Sequence, residues 1–411
     1  MPIKTKQSNI HDGWEAIKLA SIFDFKNGLN KEKKYFGQGT PIINYMDVNR
    51  GGGLYKDNIF GRVEVNKSEL SRFNVKKGDV FFTRTSETLD EIGFSAVALD
   101  EFQDTVFSGF VLRARPKGKK LVPGYAQYCF KAQSARKEIM EKSSYTTRAL
   151  TSGTSLNHVN INLPPLPEQK RIVAVLETWD QTIEKLKRKI EAKKEIKKGL
   201  LQELLSGKTR IARHNDEWVN YELEDLLKPT SEKHNPVTDS DYFKCIELEH
   251  LQKGDSELLG FTDSNLQKSI KNVFKKGDVL FGKLRPYLRK FLRTEFDGVC
   301  STEIWVLKSS KFIDSNYAYY LVQSAKFVNV ANVSSGSRMP RADWDYMKSV
   351  NFAIPGKIDE QKAIVRVLDA ADNEVRILIK KLSFLNDQKK YLLNNLVTGA
   401  IRTPESLSIP K

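Results

Sequence analysis

Two kinds of loop concentrate cations, hydroxyls and a lone aromatic, and each kind occurs twice. The first follows a Lys-Gly-Asp turn and a short β-like run. In the C-terminal half it reads Gly282-Lys283-Leu284-Arg285-Pro286-Tyr287-Leu288-Arg289-Lys290; in the N-terminal half it is Thr83-Arg84-Thr85-Ser86-Glu87-Thr88, less basic and richer in hydroxyls. The second kind lies ahead of a long helical stretch. It runs from Ser143 to Ser155 in one half, and is Ser334-Ser335-Gly336-Ser337-Arg338-Met339-Pro340-Arg341 in the other. Arginine can take guanine O6 and N7 together, lysine, tyrosine and hydroxyls bind phosphate, and glycine lets a backbone approach closely. The candidate nucleic-acid contacts are Arg84, Thr85, Ser86, Arg148, Thr151, Ser152 and Thr154 in the first half. In the second they are Lys283, Arg285, Tyr287, Ser335, Ser337, Arg338 and Arg341. Any one of them would pass for an ordinary solvated loop residue; recurrence in both halves sets them apart.

Catalytic patterns are missing where their chemistry would need them. Ser206-Gly207-Lys208-Thr209 resembles the tail of a phosphate-binding loop, but it ends a helix instead of opening one, and Gln202 stands where the first glycine belongs. Asn162-Leu163-Pro164-Pro165-Leu166 has the double proline of an amino-methyltransferase motif, with leucine in place of both the acidic or amide residue and the stacking aromatic. The Glu-x-Lys triplets at 168–170, 191–193 and 360–362 lie on helix starts or faces, without a partner aspartate on a neighbouring strand. The five histidines have no metal-ligand spacing, and no serine or cysteine sits in a nucleophile elbow. A non-catalytic chain, with neither metal nor bound cofactor, is expected.

Composition points the same way. The 411 residues carry a formal charge of +16, which favours a polyanionic partner, nucleic acid first. No run of about eighteen apolar residues would span a membrane, and the start, MPIKTKQSNIHDGW, has no apolar signal-peptide core. Three distant cysteines, Cys129, Cys245 and Cys300, suit a reducing cytoplasm.

The elements that must position these loops are two long helices. Ile172, Leu176, Trp179, Ile183, Leu186, Ile190, Leu200 and Leu204 recur at alternating steps of four and three, with Lys193 and Lys197 in the two remaining stripe positions. Pro167-Glu168 suits a helix start and Ser206-Gly207 a stop. At an offset of 192 the stretch returns: Glu168-Gln169-Lys170 as Glu360-Gln361-Lys362, the stripe as Ile364, Leu368, Ala371, Val375, Leu378, Leu382, Leu385, Lys389, Leu392 and Leu396, and the stop as Thr398-Gly399. Each stripe left in water would cost about 1.5–3 kcal/mol per large side chain, so one helix should cover the other. Periodicity alone allows parallel or antiparallel pairing; the antiparallel pair has a pseudo-twofold axis.

Outside the helices the pattern also repeats, at drifting offsets. Gly13-Trp14 is echoed by Glu217-Trp218, Lys76-Lys77-Gly78-Asp79-Val80 by Lys275-Lys276-Gly277-Asp278-Val279, Val111-Leu112 by Val306-Leu307, and Tyr125-Ala126 by Tyr317-Ala318. β-like runs at 41–45, 80–83 and 110–113, one helix over 125–141, a polar loop over 143–157 and a short strand over 159–163 make each copy an α+β domain. The expected divisions are a polar tail at 1–13, a first domain at 14–163, a central helix at 164–208, a second domain at 209–356, a second helix at 357–403 and a tail at 404–411.

In its two Lys-Lys-Gly-Asp-Val copies, Gly282–Tyr287, the Pro164-Pro165-Leu166-Pro167-Glu168-Gln169 junction and the paired helices, the chain resembles the DNA-specificity (S) subunit of type I restriction–modification systems. The resemblance covers nearly the whole chain; the second junction, Ile354-Pro355-Gly356-Lys357-Ile358-Asp359, lacks the double proline. It implies an α+β fold of two globular α/β target-recognition domains separated by two long helices in an antiparallel coiled coil, with an internal pseudo-twofold repeat. Each domain would read one half of a bipartite asymmetric site in double-stranded DNA. The helices would set the spacer and dock two methyltransferase (M) subunits, which carry S-adenosylmethionine and methylate adenine; a motor-nuclease (R) subunit could join for restriction. The rival readings are a basic coiled-coil scaffold without sequence-specific binding and a self-sufficient modification enzyme.

Overall fold

The computed structural model describes residues 13–214, 216–254, 256–333 and 339–407. Two long helices, α1 (Leu166–Leu205) and α2 (Ile358–Thr398), each contribute to two compact units. Unit 1 comprises Met1–Leu186 and Lys381–Lys411; unit 2 is Lys187–Lys380. Unit 1 thus holds the start of α1 with the end of α2, and unit 2 the reverse. No described helix is long and apolar enough to cross a membrane.

In both units the helices pack antiparallel. Ile172 and Leu176 share a core with Leu393, Leu396 and Val397 in unit 1, as Leu201, Leu204 and Leu205 do with Ile364, Val365 and Leu368 in unit 2. The two lysines in the apolar stripe have carboxylate partners on the facing helix. Lys193 Nζ lies 2.8 Å from Glu374, and Lys197 pairs with Asp372. Lys389 meets Asp180 in the corresponding place of unit 1. These aspartates also receive a tyrosine hydroxyl from the globular part: Tyr128 to Asp180 at 2.7 Å and Tyr320 to Asp372 at 2.8 Å. Burial first, and then the neighbouring carboxylates, push both phenols well above their ordinary pKa, so they stay donors. Both helices stop as expected, before Gly207 (φ +71°) and Gly399 (φ +79°).

The Glu-Gln pairs do more than start the helices. Glu168, 2% exposed, accepts from Arg402 Nε at 2.6 Å, Arg402 Nη2 at 2.8 Å and Trp14 Nε1 at 3.0 Å. Glu360, wholly buried, accepts from Arg210 Nε at 2.7 Å, Arg210 Nη2 at 2.9 Å and Trp218 Nε1 at 3.4 Å. Each arginine comes just after the end of the other helix. The next residue is saturated in the same way in both places. Gln169 donates to Lys120 O and Pro164 O, both at 2.8 Å, and accepts from Val122 N at 2.8 Å. Gln361 donates to Phe312 O and Pro355 O, both at 2.9 Å, and accepts from Asp314 N at 2.7 Å.

In unit 1, β1 (Phe23–Asn27), β2 (Gly52–Leu54), β3 (Val80–Thr83), β4 (Ser95–Ala98) and β5 (Val111–Pro116) form a sheet in the order β1-β5-β3-β4-β2, antiparallel except for β2 with β4. In unit 2, β6 (Leu227–Pro229), β7 (Val279–Gly282), β8 (Phe291–Arg293) and β9 (Ile304–Ser309) form the order β6-β9-β7-β8, antiparallel throughout. The central strand of each, β3 and β7, is wholly buried, as the run after Lys-Gly-Asp predicts. Three expectations change. The single helix over 125–141 is two, Pro123–Cys129 and Gln133–Lys142, because the break carries Phe130 into the core against Phe82, ring centroids 5.0 Å apart. The polar loop over 143–157 contains a hairpin, Ser144–Tyr145 with Ala149–Leu150, and a helical turn, Gly153–Asn157. Strand register matches Val111, opposite Thr83, with Ile304, opposite Gly282, and not with Val306; short apolar runs look alike when shifted by the two-residue strand period.

Removing either buried carboxylate leaves a part-exposed arginine and a tryptophan N–H without their acceptor, which costs about 1–3 kcal/mol. Glu360→Ala should therefore loosen residues 201–222 and 358–368, and Glu168→Ala residues 14–18 and 393–403. Hydrogen exchange read by mass spectrometry should show the loss of protection confined to the substituted unit in each case.

Candidate nucleic-acid interface

The two loops picked in the C-terminal half meet in unit 2. Where β7 ends, Lys283 N donates to Glu303 O at 2.9 Å, and Ala342 N donates to Lys283 O at 2.9 Å. Leu284 and Arg341 form an antiparallel bridge, and Arg285 N donates to Pro340 O at 2.8 Å. A Pro286–Leu288 turn is flanked by Arg285 and Arg289 in the left-handed region, φ +53° and +52°. Non-glycine residues pay roughly 1–2 kcal/mol for that conformation. Here it is held by Arg289 Nη2 on Gln323 O at 2.8 Å and Lys290 Nζ on Leu248 O at 2.5 Å. Arg285 and Tyr287 are left exposed, and among the described residues the Arg285 guanidinium has no hydrogen-bond or ion partner. Arg341 is bound side-on by Glu303, Nε to Oε2 at 3.0 Å and Nη2 to Oε1 at 3.3 Å; the hydrogen bonds and then the charge hold its pKa above the ordinary value. Lys283 is half-buried.

The same frame stands in unit 1. Arg84 N donates to Phe110 O at 3.3 Å, and Thr151 N donates to Arg84 O at 2.9 Å. Thr85–Ser86 pairs with Ala149–Leu150, itself one side of the hairpin whose tip is Thr146-Thr147-Arg148. Arg148 is exposed and lies 3.2 Å from Glu87. Arg84 is half-buried and committed: its Nη1 donates to Gly109 O at 2.9 Å. Thr85 is half-buried. Ser86 is buried, 3.3 Å from Glu91, and Thr151 is buried too. Ser152 caps the following helical turn through Ser155 N at 3.0 Å. Thr154 is exposed and lines a shallow polar depression with Lys18, Lys142, Ser155, His158 and Asn160. Ser335, Ser337 and Arg338 lie outside the described residues.

Sequence reasoning missed three side chains on these frames: Phe110, Leu150 and Glu303. Phe110 opens the β-like run over 110–113, yet it is 67% exposed and stands just outside β5; Leu150 is 44% exposed. The signal for Phe110 was Ser108-Gly109, a turn ahead of an apolar strand: a Cβ at Gly109 would fall 1.8 Å from Asn30 Oδ1.

A family model for the type I restriction modification DNA specificity domain matches twice, over residues 11–194 and 215–386. The chain belongs to this family. The twofold match bears out the repeat, and as a type I specificity subunit the chain is the non-catalytic member of its system. A relative assigned as the MjaX specificity subunit of Methanocaldococcus jannaschii is 24% identical over 97% of this chain and 96% of its own length. The fold is similar to that of a type I S subunit from M. genitalium (TM-score 0.53, 17% identity, 96% of this chain and 98% of that one). It is also similar to a chain in a structure of type I R-M complex assembly and conformational transition (TM-score 0.60, 15% identity, 96% of this chain and 100% of that one).

For this specificity subunit the geometry separates structural from presented arginines. Arg84→Ala should lower stability by about 1–3 kcal/mol, the penalty for leaving the Gly109 carbonyl without its charged donor. Arg285→Asn, an exposed change to a residue that tolerates the left-handed region, should leave melting unchanged and weaken site-specific DNA binding. Thermal melting and fluorescence anisotropy on the two variants check this.

Proposed function

We propose that the chain gives a type I restriction–modification enzyme its target sequence, each unit reading one half of a bipartite site in double-stranded DNA. The observation that carries this is the shared frame: Thr151 N on Arg84 O in unit 1 and Ala342 N on Lys283 O in unit 2, both at 2.9 Å. One scaffold thus presents two different sets of side chains, as two readers of different sequences require. Arg148, Arg285 and Tyr287 are exposed there, and a net charge of +16 supplies the general attraction for phosphate. The reading places the chain in the cytoplasm, with the DNA.

Partner docking belongs to α1 and α2. Ile196 and Ile377 in unit 2 are 53% and 63% exposed, and Phe384 and Tyr391 in unit 1 are 60% and 61% exposed. Apolar side chains of that size left exposed outside the packed stripe suit the surfaces of two methyltransferase subunits, which would bring S-adenosylmethionine and the adenine chemistry; a motor-nuclease subunit would add restriction. The purified chain alone should neither bind S-adenosylmethionine stoichiometrically in calorimetry nor transfer methyl groups to DNA.

If the helices set the spacer, lengthening both should lengthen it. Seven residues inserted after Glu191, with seven more opposite them after Leu378, keep the stripe nearly in phase and add about 10 Å, or about three base pairs. Co-expression with the methyltransferase partner and mapping of N6-methyladenine checks both claims. Methylation should depend on this chain and fall on a bipartite motif, and the insertion should change the gap while leaving the bases of both halves alone. An unchanged gap in an active complex would remove the helices as spacer.

A further inference from the structure

The two frames share one strand register at a place where their side chains are opposite in kind. Val111 lies opposite Thr83 as Ile304 lies opposite Gly282, so Phe110 and Glu303 occupy the same position. Both are fixed in the same way: Ser108 Oγ accepts from Phe110 N at 3.3 Å, and Ser301 Oγ accepts from Glu303 N at 3.4 Å. Leu150 pairs with Thr85 as Arg341 pairs with Leu284, so Leu150 and Arg341 are equivalent as well. In unit 2 the two side chains reach one another, Arg341 Nε to Glu303 Oε2 at 3.0 Å. Unit 1 therefore carries an exposed apolar pair, Phe110 and Leu150, where unit 2 carries an ion pair.

Stability does not account for the apolar pair. Phe110 is 67% and Leu150 44% exposed, so neither adds much to the core, while the turn itself is made by Gly109, packed close to Asn30, and by Arg84 Nη1 donating to Gly109 O at 2.9 Å. Unit 2 is equally pointed. Glu303 takes the Nε and Nη2 edge of Arg341 and leaves the end-on edge, Nη1 with the second hydrogen of Nη2, unused. That edge matches guanine O6 and N7, and the carboxylate fixes its direction before DNA arrives.

We infer that these equivalent positions are base-discriminating contacts, Phe110 with Leu150 for a thymine methyl in the half-site of unit 1, and Arg341, oriented by Glu303, for a guanine in the half-site of unit 2. The inference rests on the DNA-reading function proposed above. Arg341 touches the base; Glu303 is a positioning residue.

The test uses the full chain purified with its methyltransferase partner, on duplexes carrying the mapped site. Thymines are replaced one at a time by uracil, which lacks only the methyl, and guanines by 7-deazaguanine, which lacks the N7 acceptor. The wild-type complex should lose about fourfold in affinity at one thymine of the unit 1 half, the value of one buried methyl group. It should lose about 5- to 150-fold at one guanine of the other half. Phe110→Ala with Leu150→Ala should bind thymine and uracil duplexes equally, and Arg341→Ala should bind guanine and 7-deazaguanine duplexes equally, each with the opposite half-site response intact. Glu303→Gln should keep the guanine preference at reduced size. If the wild-type complex prefers its site but has no such sensitive positions, or if every variant keeps them, the inference is wrong and the DNA-reading function stands. If the wild-type complex has no site preference at all, both fall.

Discussion

Two buried carboxylates hold this architecture in place. Glu168 and Glu360 are stripped of water at the starts of the two long helices, and an unpaired carboxylate there would be untenable. Each is neutralised by an arginine that follows the other helix, Arg402 for Glu168 and Arg210 for Glu360. A clamp that takes its acid from one repeat and its base from the other works only if both helical repeats have the same length. That constraint explains why the offset is 192 at the glutamates, at the arginines, at Asp180 and Asp372 and at Lys197 and Lys389, while it drifts inside the globular parts. Insertions are tolerated where no clamp measures them.

With the helical frame fixed, the recognition loops are free to differ. In both units the chain leaves the central strand, accepts a backbone bond from the segment ahead of the long-helix region, and turns outward at the following residues. The backbone bonds are the same and the side chains are not: an arginine tied to Gly109 O in one unit, a lysine in the other; a hairpin with Arg148 at its tip in one, a proline-bent turn with Arg285 and Tyr287 in the other. A backbone frame that does not depend on its side chains is the physical condition for one fold to serve many sequences.

Much of this was legible in the sequence. The stripe Ile172 to Leu204, its copy and the glycine stops identified two helices that must cover one another, and the loops that recur in both halves are the ones the fold joins. The apolar stripe alone did not give the direction of helix pairing, because a stripe has no polarity; the family resemblance implied an antiparallel pair, and the ion pairs of Lys193 and Lys197 with Glu374 and Asp372 bear it out. The role of Glu168-Gln169 was legible only as a helix start, since the partners of a buried carboxylate, here 234 residues away in the chain, leave no local pattern. Register within the strands failed at Val111, where alternation permits a slip of two. Phe110 was hidden because an exposed phenylalanine at the mouth of a strand reads as part of its core.

Site-directed photo-crosslinking tests most directly whether the two units read separate halves of one target. A benzophenone side chain replaces Tyr145 on the unit 1 hairpin or Tyr287 on the unit 2 turn, both tyrosines already more than half exposed. With the assembled enzyme on its mapped site, position 145 should crosslink within one half of the motif only and position 287 within the other only. Crosslinks from both positions to the same half, or equally to DNA lacking the motif, would contradict the account.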